Sequence, residues 1–379
     1  MKLTIAKSDL ESALNLTSHA LGRENWTTHY FIRKHTDDKV EILSTDHRYC
    51  SSAIATCHME DETNTFSMEA SRVKSWLKNV SDGVALVLNS DGKVVNAKSA
   101  RGNVRWACVE TDNFPYWDET LEEATSQCII SSEELHAILS HVRLFVGKPD
   151  AKSLSFRYVT FSQGAVLASN GLAMSLVLCD KLDKAKFYLT ANDISPLLGF
   201  LSKLDGDIEI LATDRIVFFK GSNESVFGLT LPSKRSTAGL GNLSPEQYKK
   251  TLSSTVGYWE STIRDLQQTI GLLESSMASD DQTIKLSFDG DDLIVSALSI
   301  AGGVDQLAVS LDAYDDSKDI MANGQYLNKE IFTKVMGILD TPKVKISILE
   351  SLNNSPCVEH EVAGNPSYSV VVPLPNKTF

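Results

Sequence analysis

The sequence contains no stretch approaching the ~18 consecutive apolar residues of a membrane-spanning helix. Its opening, Met1 to Asp9, is too polar for a secretory leader. A cytoplasmic protein with no membrane partner is expected. Also missing are the GxxxxGK phosphate loop, a serine nucleophile elbow and any CxxC pair. The six cysteines show no pairing pattern and are expected to be reduced, several of them serving as small buried hydrophobes. Cys57-His58, with Cys50 nearby, comes nearest to a metal cluster, but it lies in an alternating strand with no second pair downstream. Asp46-His47 and Glu359-His360-Glu361 are isolated pairs in predicted strands and read as surface polar residues. No enzyme, metal or cofactor is expected. The chain also lacks an excess of basic charge: the net charge is −13. That disfavours a nucleic-acid binder unless the cations are gathered on one surface.

What is present is repetition. Residues 66–80, 187–201 and 320–339 each read as a short apolar strand running into an amphipathic helix. Each is followed by a turn and an alternating strand, at 84–88, 208–211 and 344–348. A repeat of this size predicts three copies of one domain, each of about 126 residues and long enough to bury its own core. The predicted divisions are 1–122, 123–232, a linker or insertion at 233–255 with a short helix starting at Ser244-Pro245, and 256–379. The first domain is itself doubled, with a strand and helix at 3–21 answering the strand and helix at 64–80. In the second, Ser131 and Glu134 form a capping-box pattern before the helix. The third places its first helix at 260–275. Asp91-Gly92 and Asp289-Gly290 mark hairpin turns. Residues 112–126 read as an acidic inter-domain connector.

On the helix at 70–80, Val73, Trp76, Leu77 and Val80 form the inner stripe. That leaves Arg72, Lys74 and Lys78 outward, with no acid between Ala70 and Val80. Arg23, Arg143, Lys148, Lys203, Arg264 and Lys329 are the other candidate cations near or opposite apolar stripes. The acids concentrate in predicted loops such as 118–123, 289–292 and 315–316. Outward lysines are also the ordinary signature of a solvated helix. Their recurrence in repeat-related positions favours a surface that binds phosphates without reading bases.

The chain resembles the bacterial-type DNA polymerase sliding clamp, the beta subunit processivity factor. The resemblance is carried by 1–14, by Leu43-Ser44-Thr45-Asp46, by Arg105 to Val109 with Asp112 to Asp118, by Leu167 to Met174, by Asn323 to Tyr326 and by Tyr368 to Leu374. It implies an α+β fold of three tandem clamp domains, each with two helices packed on antiparallel sheets. Two chains would close head to tail as a homodimer into a six-domain ring around double-stranded DNA. The resemblance also implies a hydrophobic pocket between the second and third domains that takes short linear motifs of a DNA polymerase and a clamp loader. Carried over, that pocket comprises Gly171, Leu172, Met174, Asn323, Tyr326, Val370, Val371, Val372, Pro373 and Leu374. Leu172 and Ala173 stand where the family has His-Arg, and 375–379 extends past the family's usual end. These departures fit a viral or otherwise unusual clamp. A second reading is a ring-shaped scaffold of the same fold that carries no DNA; its lining would lack basic charge.

Overall fold

The computed structural model describes the chain apart from residues 62–64, 113, 234–236, 238–249, 278–280, 317–318, 322–323, 340 and 375–379. The predicted helix at Ser244, pocket residue Asn323 and the 375–379 tail lie outside the described residues. Contacts gather the chain into two compact units. One comprises Met1–His136 with Asn192–Ser233, the other Ala137–Ala191 with Lys234–Phe379.

The first unit is built on a connected 12-stranded antiparallel sheet. β1 (Lys2–Ala6) alternates, burying Leu3 and Ile5, and runs directly into α1 (Lys7–Thr17). The apolar period changes there from 2 to 3.6, and Leu10, Ala13, Leu14 and Thr17 turn inward. β2 (His29–Thr36), β3 (Lys39–Thr45) and β4 (Tyr49–Asp61) follow, then β5 (Phe66–Glu69) and α2 (Ala70–Leu77). β6 (Ala85–Ser90), β7 (Val94–Ser99) and β8 (Gly102–Ala107) form a meander, with β8 at the sheet's end. β4 is long enough to serve two neighbourhoods. Its start pairs with β3 and with β16 (Val226–Thr230), and its end pairs with β1. β9 (Thr125–Ser131), β14 (Asp207–Ala212) and β15 (Ile216–Gly221) complete the sheet. It therefore runs without interruption across the predicted boundary at 122.

The connector at 112–126 contains a short helix, α3 (Asp118–Glu122). Arg33 holds it, donating from both terminal nitrogens to the two Asp118 oxygens at 2.7 and 2.6 Å. That bidentate clasp lowers the Asp118 pKa and raises that of Arg33. α4 (Ser132–Val142) follows β9, and the predicted cap is present: Glu134 N–H donates to Ser131 Oγ at 3.2 Å.

The second unit holds a nine-stranded and a four-stranded antiparallel sheet. The larger includes β10 (Tyr158–Ser162), β11 (Ala165–Ser169), β12 (Ala173–Leu178) and β13 (Phe187–Thr190). It continues through β25 (Asn365–Val371), β24 (Ser355–Val362), β23 (Lys343–Leu349), β17 (Thr255–Thr262) and β21 (Ala313–Asp315). The smaller sheet comprises β18 (Thr283–Asp289), β19 (Asp292–Leu298), β20 (Val304–Ser310) and β22 (Gln325–Asn328), with β20 at one edge. α6 (Ile263–Glu274) and α7 (Lys329–Gly337) follow β17 and β22, while α5 (Ala191–Leu201), which follows β13, belongs from Asn192 onward to the first unit.

All three predicted strand–helix repeats are present, each followed by its predicted strand. Some boundaries differ: the helix expected over 70–80 ends at Leu77, and residues 260–262 belong to β17, so that the helix there begins at Ile263. The Thr262 side chain, accepting from Asp265 N–H at 3.1 Å, is the cap that sets this start.

Candidate nucleic-acid interface and partner pocket

In the first unit, α2 buries Ala70, Val73 and Leu77, which directs the other positions outward. Tyr30 lies fully buried beneath it, its hydroxyl donating to Leu14 O. The Lys74 ammonium stands 5.9 Å from the centre of that ring. Partial burial, and then the neighbouring Lys78, lower the Lys74 pKa. Lys78 itself is exposed at the end of the helix.

His19, which sequence reasoning missed, joins this group. It occupies a single 3-10 turn after α1, against α5. Gly199 permits that approach: a Cβ there would come within 2.4 Å of the imidazole. Burial lowers the His19 pKa, and Lys74 and Lys203 lower it further. Lys74, Lys78 and exposed Lys203 thus form a basic patch around His19, whose lowered pKa keeps the imidazole uncharged at neutral pH. Arg72 flanks it but is paired with Glu69 at 2.7 Å. Arg23 is exposed, with no contact to the patch among the described residues.

The second unit differs. Arg143, Lys148 and Arg264 are exposed and form no salt bridge to any described residue. Lys329, expected on an outer face, is only 8% exposed, and its ammonium pairs with Glu274 at 2.7 Å. The cause is its position as the first residue of α7, from which the side chain runs across to the end of α6. Lys7, first in α1, behaves likewise: its ammonium reaches Val80 O at 2.9 Å and Asp82 at 2.7 Å. Both lysines place a cation near the C-terminal end of a helix, where the dipole favours one. Ser132, first in α4, makes the uncharged equivalent by donating to Leu204 O at 2.9 Å. Lys334 is neutralised by Glu330 at 2.6 Å.

The predicted pocket residues that are described converge in the second unit. β12 and β25 lie side by side, pairing Ala173 with Val371 and Met174 with Val370. Beyond the ladder, Val372 N–H donates to Leu172 O at 2.8 Å and Leu374 N–H to Tyr326 O at 2.7 Å. Met174, Val370 and Val371 are buried, the first two in one apolar cluster with Leu167 and Leu176. Leu172 is 37% exposed, while Tyr326, Val372, Pro373 and Leu374 are half-buried. Gly171 has φ +87°, and a Cβ there would meet the Phe156 ring at 2.8 Å. The surface offers apolar anchoring with little charge.

The polar pairs considered for chemistry have structural partners. Asp46 Oδ1 accepts from Arg48 and Tyr49 N–H and closes the β3–β4 turn. His360 is bonded to Ser369 at 2.9 Å. Burial pushes the Cys57 thiol up to about 11, away from the thiolate a metal would need. Among the described residues no group of three or more His, Cys, Asp or Glu is arranged to hold a metal.

No protein-family model matches the chain, and no curated protein matches its sequence. Solved structures do. The DNA polymerase III subunit beta of Pseudomonas aeruginosa matches with a TM-score of 0.81 at 15% identity, covering 99% of this chain and 100% of that one. The DNA polymerase sliding clamp of Caulobacter crescentus matches at 0.80 and 14% identity, over 99% of each chain. A DNA polymerase III beta subunit assigned in Eubacterium rectale matches at 0.79 and 14%, over 99% of this chain and 100% of that one. At this identity the likeness is one of fold: the whole chain has the α+β fold of bacterial beta sliding clamps.

Proposed function

We propose that this protein is a DNA sliding clamp, a non-catalytic ring that encircles duplex DNA and tethers a DNA polymerase in the cytoplasm. The whole-chain correspondence with polymerase beta subunits carries the reading, because nearly every residue of both chains takes part in it. The three domains are 1–122, 123–232 and 256–379, joined by 233–255. The basic patch of Lys74, Lys78 and Lys203, with neutral His19 packed among them, touches the phosphates, assisted by Arg72 and Arg23 and, from the second unit, by Arg143, Lys148 and Arg264. A patch on an otherwise acidic molecule holds DNA loosely and without sequence preference, as sliding requires.

The ring is a head-to-tail homodimer. β8 and β20 each present an edge that no described strand covers. Around β20 lie exposed Leu272, Leu298, Ile300 and Val304; around β8 lie Lys98, Arg101 and Arg105. Unguarded edges of this kind are templates for strand pairing between copies. The apolar surface of Leu172, Tyr326, Val372, Pro373 and Leu374 takes short linear motifs of the polymerase and the clamp loader.

Light scattering across a dilution series, then retention on nicked circular against linearised plasmid, tests this. A species of twice 41.6 kDa that is held on circles and released on cutting is expected. A monomer at every concentration, or retention indifferent to topology, would refute it. A dimer whose behaviour on DNA ignores salt would favour a scaffold of the same fold.

A further inference from the structure

The backbone frame of the partner pocket recurs in the first unit, once in the β6–β7 turn, where Asp91 N–H donates to Val94 O, Lys93 and Val94 N–H donate to Asp91 Oδ1 and Cys108 N–H donates to Lys93 O, and once in the β3–β4 turn, whose copy adjoins an aromatic-walled cavity. In the β3–β4 turn, Asp46 N–H donates to Tyr49 O at 3.2 Å, and Arg48 and Tyr49 N–H donate to Asp46 Oδ1 at 2.9 and 2.7 Å. In the β11–β12 turn, Asn170 N–H donates to Ala173 O at 3.1 Å, and Leu172 and Ala173 N–H donate to Asn170 Oδ1 at 2.9 and 2.8 Å. Thr45 Oγ1 donates to Tyr49 O as Ser169 Oγ does to Ala173 O. His47 at φ 74° occupies the left-handed position of Gly171. The neighbouring strand also corresponds. β16 pairs Leu229 with Tyr49 as β25 pairs Val371 with Ala173. Thr230 N–H then donates to Arg48 O at 2.9 Å, the counterpart of the Val372–Leu172 bond.

Beside this second frame lies a cavity of about 190 Å³. Pro115, Tyr116 and Trp117 of the connector wall one side, and Tyr49, Ile216 and Leu229 the other. Tyr116 is 41% exposed, so the wall is reachable. The volume is below the ~300 Å³ at which small-molecule sites begin, and suits one or two anchoring side chains. Among the described residues, the charged or titratable groups lining it, apart from Tyr and Cys, are bases, His47 and Arg48. Exposed Arg215 adjoins Ile216. Three nearby acids are engaged, since Asp46 closes its own turn, Asp118 is clasped by Arg33, and buried Asp193 pairs with Arg48 at 2.6 Å; exposed Asp214 adjoins Arg215, and exposed Glu119 adjoins Thr120 of the connector.

We propose that this cavity is a second peptide-docking site, taking from a partner protein a linear segment with an aromatic or aliphatic anchor beside a carboxylate. Its apolar walls hold the anchor, and the basic rim selects the acid. The analogy rests on the partner-pocket reading of the second unit, whereas the occupant is argued from the cavity's own walls and charges.

The probes are acetyl-Leu-Phe-Asp-amide and acetyl-Leu-Phe-Lys-amide, titrated into full-length protein labelled with 5-fluorotryptophan. The fluorine resonances are assigned by single Trp→Phe variants. Trp117 lines the cavity and Trp26 packs edge-on against His47, 4.9 Å between ring centres. Trp259 is buried in the other unit and serves as the control. Saturable shifts at Trp117 and Trp26 with the Asp peptide are expected, at least about fivefold weaker with the Lys peptide. Tyr116→Ala should weaken binding about tenfold, and so should Ile216→Glu; Tyr116 is exposed enough for its removal to leave the fold intact. Leu172→Glu should leave these shifts unchanged. No shift at about 5 mM peptide, equal response to both peptides, or a response abolished by Leu172→Glu but not by Tyr116→Ala would each overturn the proposal. The last outcome would do so while supporting the pocket of the second unit, and none of them bears on plasmid retention.

Discussion

A buried imidazole beside a half-buried one should make the second unit sensitive to acid. His141, near the end of α4, is 7% exposed, and its ring lies 4.9 Å from that of His360 on β24. Its Nε2 is 2.8 Å from Ser175 Oγ, and Phe145 covers another side at 5.2 Å. Burial, and then the neighbouring imidazole, push the His141 pKa down to about 3. Burial also lowers that of His360. With a folded pKa below the ordinary 6.5, the native state binds fewer protons than the unfolded chain between those two values. Stability from this source is fully present above pH 6.5 and falls as the pH drops towards 3. At pH 5 the chain sits 1.5 units below the unfolded pKa, so His141 alone should remove about 2 kcal/mol. Urea unfolding followed by circular dichroism at pH 7.5 and 5.0 measures the loss. In His141→Gln, whose amide can still meet Ser175, the loss should shrink by about 2 kcal/mol. A His141 ring that titrates near 6.5 by NMR, or an unchanged pH dependence in the variant, would refute the argument.

Replacing Lys74, Lys78 and Lys203 together by Ala should flatten the logarithmic salt dependence of duplex binding by about 2.7, or ~0.9 per phosphate contact. Fluorescence anisotropy between low and moderate salt reads this directly, and an unchanged slope would remove the patch from the interface. Lys329→Met should leave the slope alone, since its charge is committed to Glu274. Asp193→Ala strips a fully buried carboxylate from Arg48 and Tyr49. Arg48 is half-exposed and can rehydrate, so a loss of about 2–3 kcal/mol is expected in denaturant titrations; a loss below ~0.5 kcal/mol, the range of ordinary surface changes, would contradict it. Ile300→Asp with Leu272→Asp should halve the mass seen by light scattering, and a persisting dimer would place the interface elsewhere.

The repeats were legible because each strand–helix junction is written in the period of its apolar residues, and because Ser131 with Glu134, Asp91-Gly92 and Asp289-Gly290 are local signals with local causes. The start of α6 was blurred because Glu260 to Thr262 can continue either pattern; the cap at Thr262 decides it. Lys329 misled because a helical wheel gives an angle but not an end. At the first helical position a long side chain extends along a neighbouring helix instead of into solvent, and Lys7 in the same position was the available clue. His19 could not be read at all. Its role depends on Gly199, 180 positions away, leaving room for a ring. The Arg48–Asp193 pair, 145 positions apart, has no local trace either.

Duplication explains why two sites can share a frame yet differ in what they would bind. The turn bonds at Thr45 to Tyr49 and at Ser169 to Ala173 use backbone groups, one hydroxyl that Thr or Ser supplies, and one short side chain that only has to accept, so Asp or Asn serves equally. Nothing in that frame constrains the residues that face outward. In the second unit the exposed residue is Leu172; in the first it is Arg48, beside exposed His47. Leu172 leaves an apolar surface. Arg48 provides a cation that would sit uncompensated against the fold had α5 not supplied Asp193. That carboxylate holds Arg48 at the rim of the cavity, so the charge that selects a partner also ties the β3–β4 turn to α5. A change at Asp193 should therefore alter stability and peptide preference together, whereas a change at Tyr116 should weaken peptide binding and leave stability intact.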